Sequence, residues 1–170
     1  MDLTIRPIRL EDAKSIYEIR TMDGVRENTM GITSERISRT ETMISGLNSD
    51  SHMFVAEVNE EGTKKVVGWI GLTVNQSPRA RHSASIGIMI HTDYQGKGIG
   101  RALFNKVIDL ADNWLMLVRL ELGVFTDNER AINLYKSLGF EIEGCKKYVA
   151  IRNGKYDDEY IMARYSLCQK

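Results

Sequence analysis

Three glycines at alternate positions mark the segment best suited to chemistry, Gln95-Gly96-Lys97-Gly98-Ile99-Gly100, which Arg101 follows. Glycines let the backbone turn tightly and approach a ligand closely. An apolar stretch precedes the segment and a stretch of helical spacing follows it, so unpaired N–H groups would point outward from a helix start. Lys97 and Arg101 add positive charge. The combination predicts a phosphate or pyrophosphate site, with a ligand-free glycine-rich turn as the alternative.

Two common nucleotide-binding motifs do not fit this loop. A P-loop requires Gly-Lys-Ser/Thr, whereas Lys97 is followed by Gly98. A dinucleotide fingerprint requires G-x-G-x-x-G, and here the sixth position is Arg101. The phosphate ligand is therefore expected to be of another kind.

A second pair of residues has a suggestive spacing. Asn128 and Tyr135 are seven residues apart in a short stretch predicted to be helical. At about 3.6 residues per turn they share one face. The alternative is that Asn128 only caps the helix and Tyr135 only packs against the core.

The elements that must position these residues follow from hydrophobic periodicity. Residues 99, 103, 107, 110 and 114 predict one buried helical face that ends with Trp114, and Asn153-Gly154 predicts a hairpin turn. Thr33 to Arg36 could cap the second helix. The predicted order is β-α-α-β-β-β-α-β-α-β-β, an α+β class with a mixed, mostly antiparallel sheet of about seven strands and about four helices. The strands are expected at 3–8, 53–58, 66–74, 83–91, 119–125, 141–149 and 156–165, and the helices at 10–22, 33–47, 98–114 and 128–138.

Composition limits the classes of function. The 170 residues predict one domain over 1–170, and 23 basic against 23 acidic residues support neither a nucleic-acid nor a membrane partner. No stretch reaches the ~20 apolar residues of a membrane span, and the start lacks the apolar run of a signal peptide. Cys145 and Cys168 predict reduced thiols in a cytoplasmic protein. The three scattered histidines predict no metal site.

The two motifs resemble those of the GNAT superfamily of N-acetyltransferases. Gln95 to Gly100 fits the pattern Q/R-x-x-G-x-G/A, and the stretch from Asn128 to Phe140 fits N-x-x-A-x-x-L-Y-x-x-x-G-F. The stretches 5–19 and 67–72 look like the opening strand and helix and the third strand of that family. The likeness spans nearly the whole chain and implies a GNAT-like fold, a possible homodimer, and acetyl-CoA as the donor.

The resemblance also implies roles for individual residues. Backbone groups of the fourth strand would lie along the pantetheine arm, the glycine loop would bind the pyrophosphate, and Asn128 would contact the pantetheine. Lys136 would lie near the CoA phosphates. The residues expected to bind the donor are Ile88, Met89, Ile90, Gln95, Gly96, Lys97, Gly98, Ile99, Gly100, Arg101, Asn128, Tyr135 and Lys136.

Acyl transfer to an amine requires an oxyanion donor, an acid for the leaving thiol, and a base for the incoming ammonium. A strand N–H near Ile90 would polarise the carbonyl, and Tyr135 would protonate the sulfur. The base is not evident, because Gly123 and Ser85 occupy positions where relatives often carry acids. Glu121 is the first candidate, since residues two apart on a strand share a face. The alternatives are His82, the run Asp157-Asp158-Glu159, and a water chain.

The acceptor site is expected from the loops 23–32 and 75–82 and the final hairpin, where Tyr148, Tyr156 and Tyr160 could wall a pocket. The ending of the chain resembles a bacterial subgroup that acts on free L-amino acids or other small amines. A small-molecule N-acetyltransferase is therefore the main prediction. Acetylation of a protein or peptide, and a non-catalytic acyl-CoA-binding module, are the alternatives.

Overall fold

The computed structural model describes residues 2–167 and contains one seven-stranded sheet. The strand order is β1-β2-β3-β4-β5-β7-β6, and neighbouring strands are antiparallel except for the parallel pair β4 and β5. This architecture confirms the predicted fold class and element order. The strands are β1 (Asp2–Pro7), β2 (Ser51–Glu60), β3 (Thr63–Val74), β4 (Ser83–Ile90), β5 (Arg119–Phe125), β6 (Glu141–Arg152) and β7 (Lys155–Tyr165).

Four α-helices cover the two faces of the sheet: α1 (Ala13–Thr21), α2 (Ile37–Ser45), α3 (Ile99–Asp109) and α4 (Glu129–Ser137). The α1 face is the side where Ile16 and Ile19 of α1 pack with Trp69 and Met89 of the sheet. The α3 face is the opposite side, where buried residues of α3 and α4 form the larger core. Strand β5 alternates between them as its pattern predicts, with Leu120, Leu122 and Val124 in the core of the α3 face.

Strands β4 and β5 pair over only three residues each and then part. Ser83 to Ser85 of β4 lie in register with Arg119 to Glu121 of β5, and no pairing follows. Beyond this point β4 keeps β3 as a neighbour and β5 keeps β7. The edge of β4 that faces β5 is therefore free of strand partners from Ile86 onward, and a gap opens through the sheet.

Two local predictions are corrected by the structure. Trp114 is 76% exposed because the helix widens into a π-helical turn at Leu110–Trp114, which places Ala111 in the core instead. Helix α2 begins at Ile37, and no side chain caps its start. Glu35, in the segment expected to cap it, is buried and ion-paired with Arg20 instead.

No helix within 2–167 is long and apolar enough to cross a membrane. No cluster of three or more His, Cys, Asp or Glu side chains in that range is placed to hold a metal ion. Cys145 is an exposed free thiol, and Cys168 lies outside the described residues.

Candidate active site

The gap between β4 and β5 opens into a cavity of about 550 Å³. It is lined by the free part of β4, by β5 from Leu122 to Phe125, by the glycine loop and by one face of α4. Its volume is within the range of small-molecule sites in proteins. Ten of the residues predicted to bind a donor lie in this lining: Ile88, Met89, Ile90, Gln95, Gly96, Gly98, Gly100, Arg101, Asn128 and Tyr135.

The glycine loop has the geometry of an anion site. Gly96 and Gly98 have φ angles of 75° and 83°, in the left-handed region that favours glycine, and Gly98 is the N-cap of α3. A Cβ at either position would meet no atom within 4 Å, so both face open space. Among the described residues, no backbone N–H from Gly96 to Arg101 donates to a backbone carbonyl. These N–H groups and the helix dipole favour a negatively charged ligand.

Side chains of the same segment hold the loop in place. Gln95 donates from Nε2 to the carbonyl of Ile90 at 2.9 Å, and its Oε1 accepts from Nη2 of Arg130. Arg101 donates to the hydroxyl of Ser137 at 2.7 Å. The loop is thereby tied to the end of β4 on one side and to α4 on the other.

Asn128 and Tyr135 share the cavity-facing side of α4. Oδ1 of Asn128 accepts from the backbone N–H of Ala131 at 3.3 Å, so it caps the helix and leaves its amide NH₂ as a donor. Tyr135 packs against Phe104 with ring centroids 5.3 Å apart. Burial raises the pKa of Tyr135 to about 12, because the phenolate would lose its hydration. The hydroxyl therefore carries its proton at neutral pH.

Three predicted donor contacts lie outside the cavity lining. The ammonium of Lys97 lies 5.0 Å from the ring centroid of Tyr94, and Lys136 is exposed on α4. The side chain of Ile99 is buried in the core of the α3 face. Lys97 and Ile99 keep a place in the loop only through their backbone, and Lys136 has no contact with the cavity.

Glu121, the first candidate for the base, is also outside the cavity lining. It lies on the same face of β5 as Gly123, as predicted, but at the end of β5 that is paired with β4. Its carboxylate accepts from Nε and Nη2 of Arg119 at 3.3 and 3.1 Å. Arg119 also binds Glu143, so Glu121 belongs to a surface ion-pair network.

Another acid does line the cavity, and it is Glu159 of β7. Sequence reasoning included it only within an acidic run. The cavity also contains residues that the sequence did not single out, among them Arg20, Trp69 and Arg130. Their positions depend on how distant segments pack, which no local pattern encodes.

The acceptor loops are only partly as predicted. The segment 24–30 lines the cavity, and a second cavity of about 710 Å³ lies between residues 26–33 and the β6–β7 hairpin. The two cavities share Thr29, Met30 and Phe125, so they adjoin. Tyr148 and Tyr156 line the second cavity, whereas Tyr160 packs against the core. The loop 75–82 lines neither cavity, because it enters β4 at the end where β4 and β5 are still paired.

Known proteins are similar to this chain in sequence and in fold. An L-amino acid N-acetyltransferase, AaaT of Escherichia coli, is 48% identical over 99 residues, which are 58% of this chain and 61% of that protein. A spermidine N(1)-acetyltransferase of Vibrio cholerae is 34% identical over 102 residues, 59% of this chain and 57% of that protein. The alignments thus span about three fifths of the length of these two curated relatives.

A solved structure and a family profile extend the likeness. The crystal structure of spermidine N-acetyltransferase from Vibrio cholerae in complex with CoA and spermine superimposes with a TM-score of 0.84 at 25% identity, covering 98% of this chain and 96% of that one. Residues 14–140 match the profile of the Acetyltransferase (GNAT) family, a range that contains the gap, the glycine loop and α4. The chain therefore belongs to the acetyltransferase (GNAT) family.

Proposed function

We propose that this protein is an N-acetyltransferase that moves the acetyl group of acetyl-CoA to the primary amine of a small molecule, an amino acid or a similar amine. The observation that carries the proposal is the meeting of three features in one cavity. These are the unpaired N–H groups at the start of α3, the free edge of β4, and the pair Asn128 and Tyr135.

The cavity suits a donor that has a pyrophosphate and a long, uncharged arm. The loop around Gly98 offers N–H groups and open space to the pyrophosphate. The free edge of β4 from Ile86 to Ile90 offers unpaired backbone groups to the amides of a pantetheine arm. The amide of Asn128 is a further donor to that arm. These features support acetyl-CoA as the donor.

The chemistry assigned to the cavity is direct attack of an amine on a thioester. A backbone N–H near Ile90 would stabilise the oxyanion that forms on the carbonyl oxygen. Tyr135 would hold its proton until the thiolate leaves, because its raised pKa keeps it neutral. Holding both reactants in one cavity would supply much of the remaining rate.

The acceptor is proposed to be a small amine. The printed names of the relatives are those of an L-amino acid and a spermidine acetyltransferase. The cavity is lined on its α1 side by residues of the segment 24–30 and by Glu159, and its volume of about 550 Å³ suits a small acceptor beside the donor arm. A cytoplasmic location and a homodimer stay predictions of the family resemblance.

The test is an assay of thiol release from acetyl-CoA over amino acids, polyamines, aminoglycosides and peptides. Turnover of free amino acids or small amines is expected. Turnover of peptides alone would favour the protein-acetylating alternative, and CoA binding without any turnover would favour a non-catalytic module. Gly98→Glu is expected to abolish donor binding, since it places a carboxylate where the pyrophosphate is proposed to lie.

A further inference from the structure

We infer that Glu159 of β7 is the general base of this enzyme and replaces the acid that is absent from β5 at Gly123. The inference rests on the proposed N-acetyltransferase function and deepens it, because it names the group that takes the proton of the acceptor ammonium.

The carboxylate of Glu159 fills the space that a side chain at position 123 would occupy. A Cβ built on Gly123 would lie 2.5 Å from Cδ and 3.0 Å from Oε2 of Glu159, and closer still to Oε1. Real Cβ atoms do not approach other atoms this closely, so only glycine at 123 admits the carboxylate in this position. The register explains the geometry, because Glu159 pairs with Phe125 and reaches diagonally across to Gly123.

Glu159 is held by a weaker contact than the neighbouring acids Asp157 and Asp158. Within residues 2–167 it is the one acidic residue that lines the cavity, and its side chain is 18% exposed. Its ion-pair partner is the ammonium of Lys146, 3.7 Å from Oε2, which is beyond hydrogen-bonding distance. The carboxylate therefore has lone pairs available for an ammonium.

The rival bases are engaged or misplaced. Asp157 accepts from Arg152 at 2.7 Å, and Asp158 accepts from Lys147 and from the N–H of Tyr148. Both are absent from the cavity lining, as are Glu121 and His82. Of the acids considered from the sequence, Glu159 alone reaches the gap.

Glu159 and Tyr135 lie on opposite faces of the sheet. The carboxylate occupies the side-chain position of Gly123, whose strand parity is opposite to that of Leu122 and Val124, so it lies on the α1 face. Met89 of β4 also belongs to that face. Tyr135 lies in the core of the α3 face. A thioester held in the gap would have the base on the side of the incoming amine and the acid on the side of the sulfur.

The proton balance follows from this arrangement. Glu159 takes one proton from the acceptor ammonium, and the free amine then forms the C–N bond to the acetyl carbon. As the C–S bond breaks, Tyr135 gives its proton to the thiolate. The second proton of the nitrogen passes to solvent, from which Tyr135 is reprotonated. Glu159 returns its proton to solvent, so that one proton is released for each amide and each CoA thiol formed.

The closing experiment compares Glu159→Gln with the unmodified enzyme over pH 6 to 10, on the amine that is turned over fastest. General base catalysis contributes about 10²- to 10⁴-fold, so kcat/KM for the amine is expected to fall by at least about 100-fold at neutral pH while CoA affinity is retained. Without a base, only free amine can react. The kcat/KM of Glu159→Gln should therefore rise about tenfold per pH unit below the pKa of the amine.

A variant with its carboxylate moved from position 159 to position 123 distinguishes a catalytic role of this group from a packing role. The double variant Gly123→Asp/Glu159→Ala places a carboxyl carbon one bond, about 1.5 Å, from the Cβ position that the native carboxylate now crowds. It is expected to recover at least tenfold of the activity that Glu159→Ala loses. Asp158→Asn, on the neighbouring residue, is the control and should keep near-normal kcat/KM.

Three outcomes would overturn the inference. They are activity within threefold of normal in Glu159→Gln, an unchanged pH slope in that variant, and a comparable loss in Glu121→Gln with Glu159→Gln active. Absence of turnover by the unmodified enzyme would instead refute the proposed function, and this inference with it.

Discussion

The sharpest test of the donor site is Gly98→Ala, because the chain offers a matched control. Gly98 has φ of 83° and Gly62, in the turn between β2 and β3, has φ of 84°. A Cβ at either position would meet no atom within 4 Å. Alanine should therefore cost each fold the same backbone strain, about 1–2 kcal/mol, and no steric penalty from the protein itself.

Only one of the two methyl groups would meet a ligand. At Gly98 it would project into the cavity where the pyrophosphate is proposed to lie, and it would hold the anion away from the N–H groups at the start of α3. Loss of one charged hydrogen bond costs about 1.5–3 kcal/mol. At about 1.4 kcal/mol per tenfold, Gly98→Ala should weaken CoA binding by about 10- to 100-fold.

The assay has two readouts for each variant. Urea unfolding should show the same loss of stability in Gly98→Ala and Gly62→Ala, and titration calorimetry with CoA should show weaker binding only in Gly98→Ala. Equal CoA affinities in both variants, at equal stability, would refute the assignment of the pyrophosphate to this loop. A loss of affinity in Gly62→Ala as well would show that strain alone acts on the site.

The remaining predictions concern α4. Tyr135→Phe should lower kcat by about 100-fold in the thiol-release assay, with a much smaller effect on CoA affinity. The buried phenol binds its proton more tightly in the folded protein, so its stabilising contribution is present below pH 10 and is lost as the pH rises towards 12. Urea unfolding at pH 9 and at pH 11 should thus show that the free energy of unfolding falls by about 1 kcal/mol more in the unmodified protein than in Tyr135→Phe. Asn128→Asp should keep the helix cap and its stability, and Asn128→Ala should lose about 1 kcal/mol, while both weaken CoA binding in calorimetry because neither retains the amide donor.

The parts of the fold that sequence predicted are those with strong local signals. The alternation of Leu120, Leu122 and Val124 gave the bounds of β5 and its buried face correctly. Asn153 and Gly154 both have positive φ, as the predicted hairpin turn requires. Ten of the residues predicted to bind the donor line one cavity, and those of the glycine loop and α4 belong to motifs that determine their own local geometry.

The parts that were missed depend on contacts between distant segments. The alternation of side chains along a strand placed Glu121 and Gly123 on one face. It does not say how far along β5 the pairing with β4 extends. Because that pairing reaches Glu121, its side chain lies at the closed end of the gap, where Arg119 binds it. Likewise, Trp114 continued a helical period that the π-helical turn interrupts.

The proposed base is defined by its place in the gap and not by the strand that expectation assigns to it. The gap in the sheet is bordered by β4 on one side and by β5 on the other, and β7 pairs with the far edge of β5 in the same sheet. A carboxylate can therefore reach the same point from β5 itself or by crossing over it from β7. A Glu159 side chain that crosses β5 needs a position on β5 that carries no side chain, and Gly123 is such a position. Glycine inside a strand costs about 0.5–1 kcal/mol of stability relative to alanine. A Cβ at 123 would displace the carboxylate of Glu159, so the place of this carboxylate depends on the glycine. In the proposed arrangement the acid absent at 123 is therefore replaced by the residue of the neighbouring strand whose side chain fills the same space.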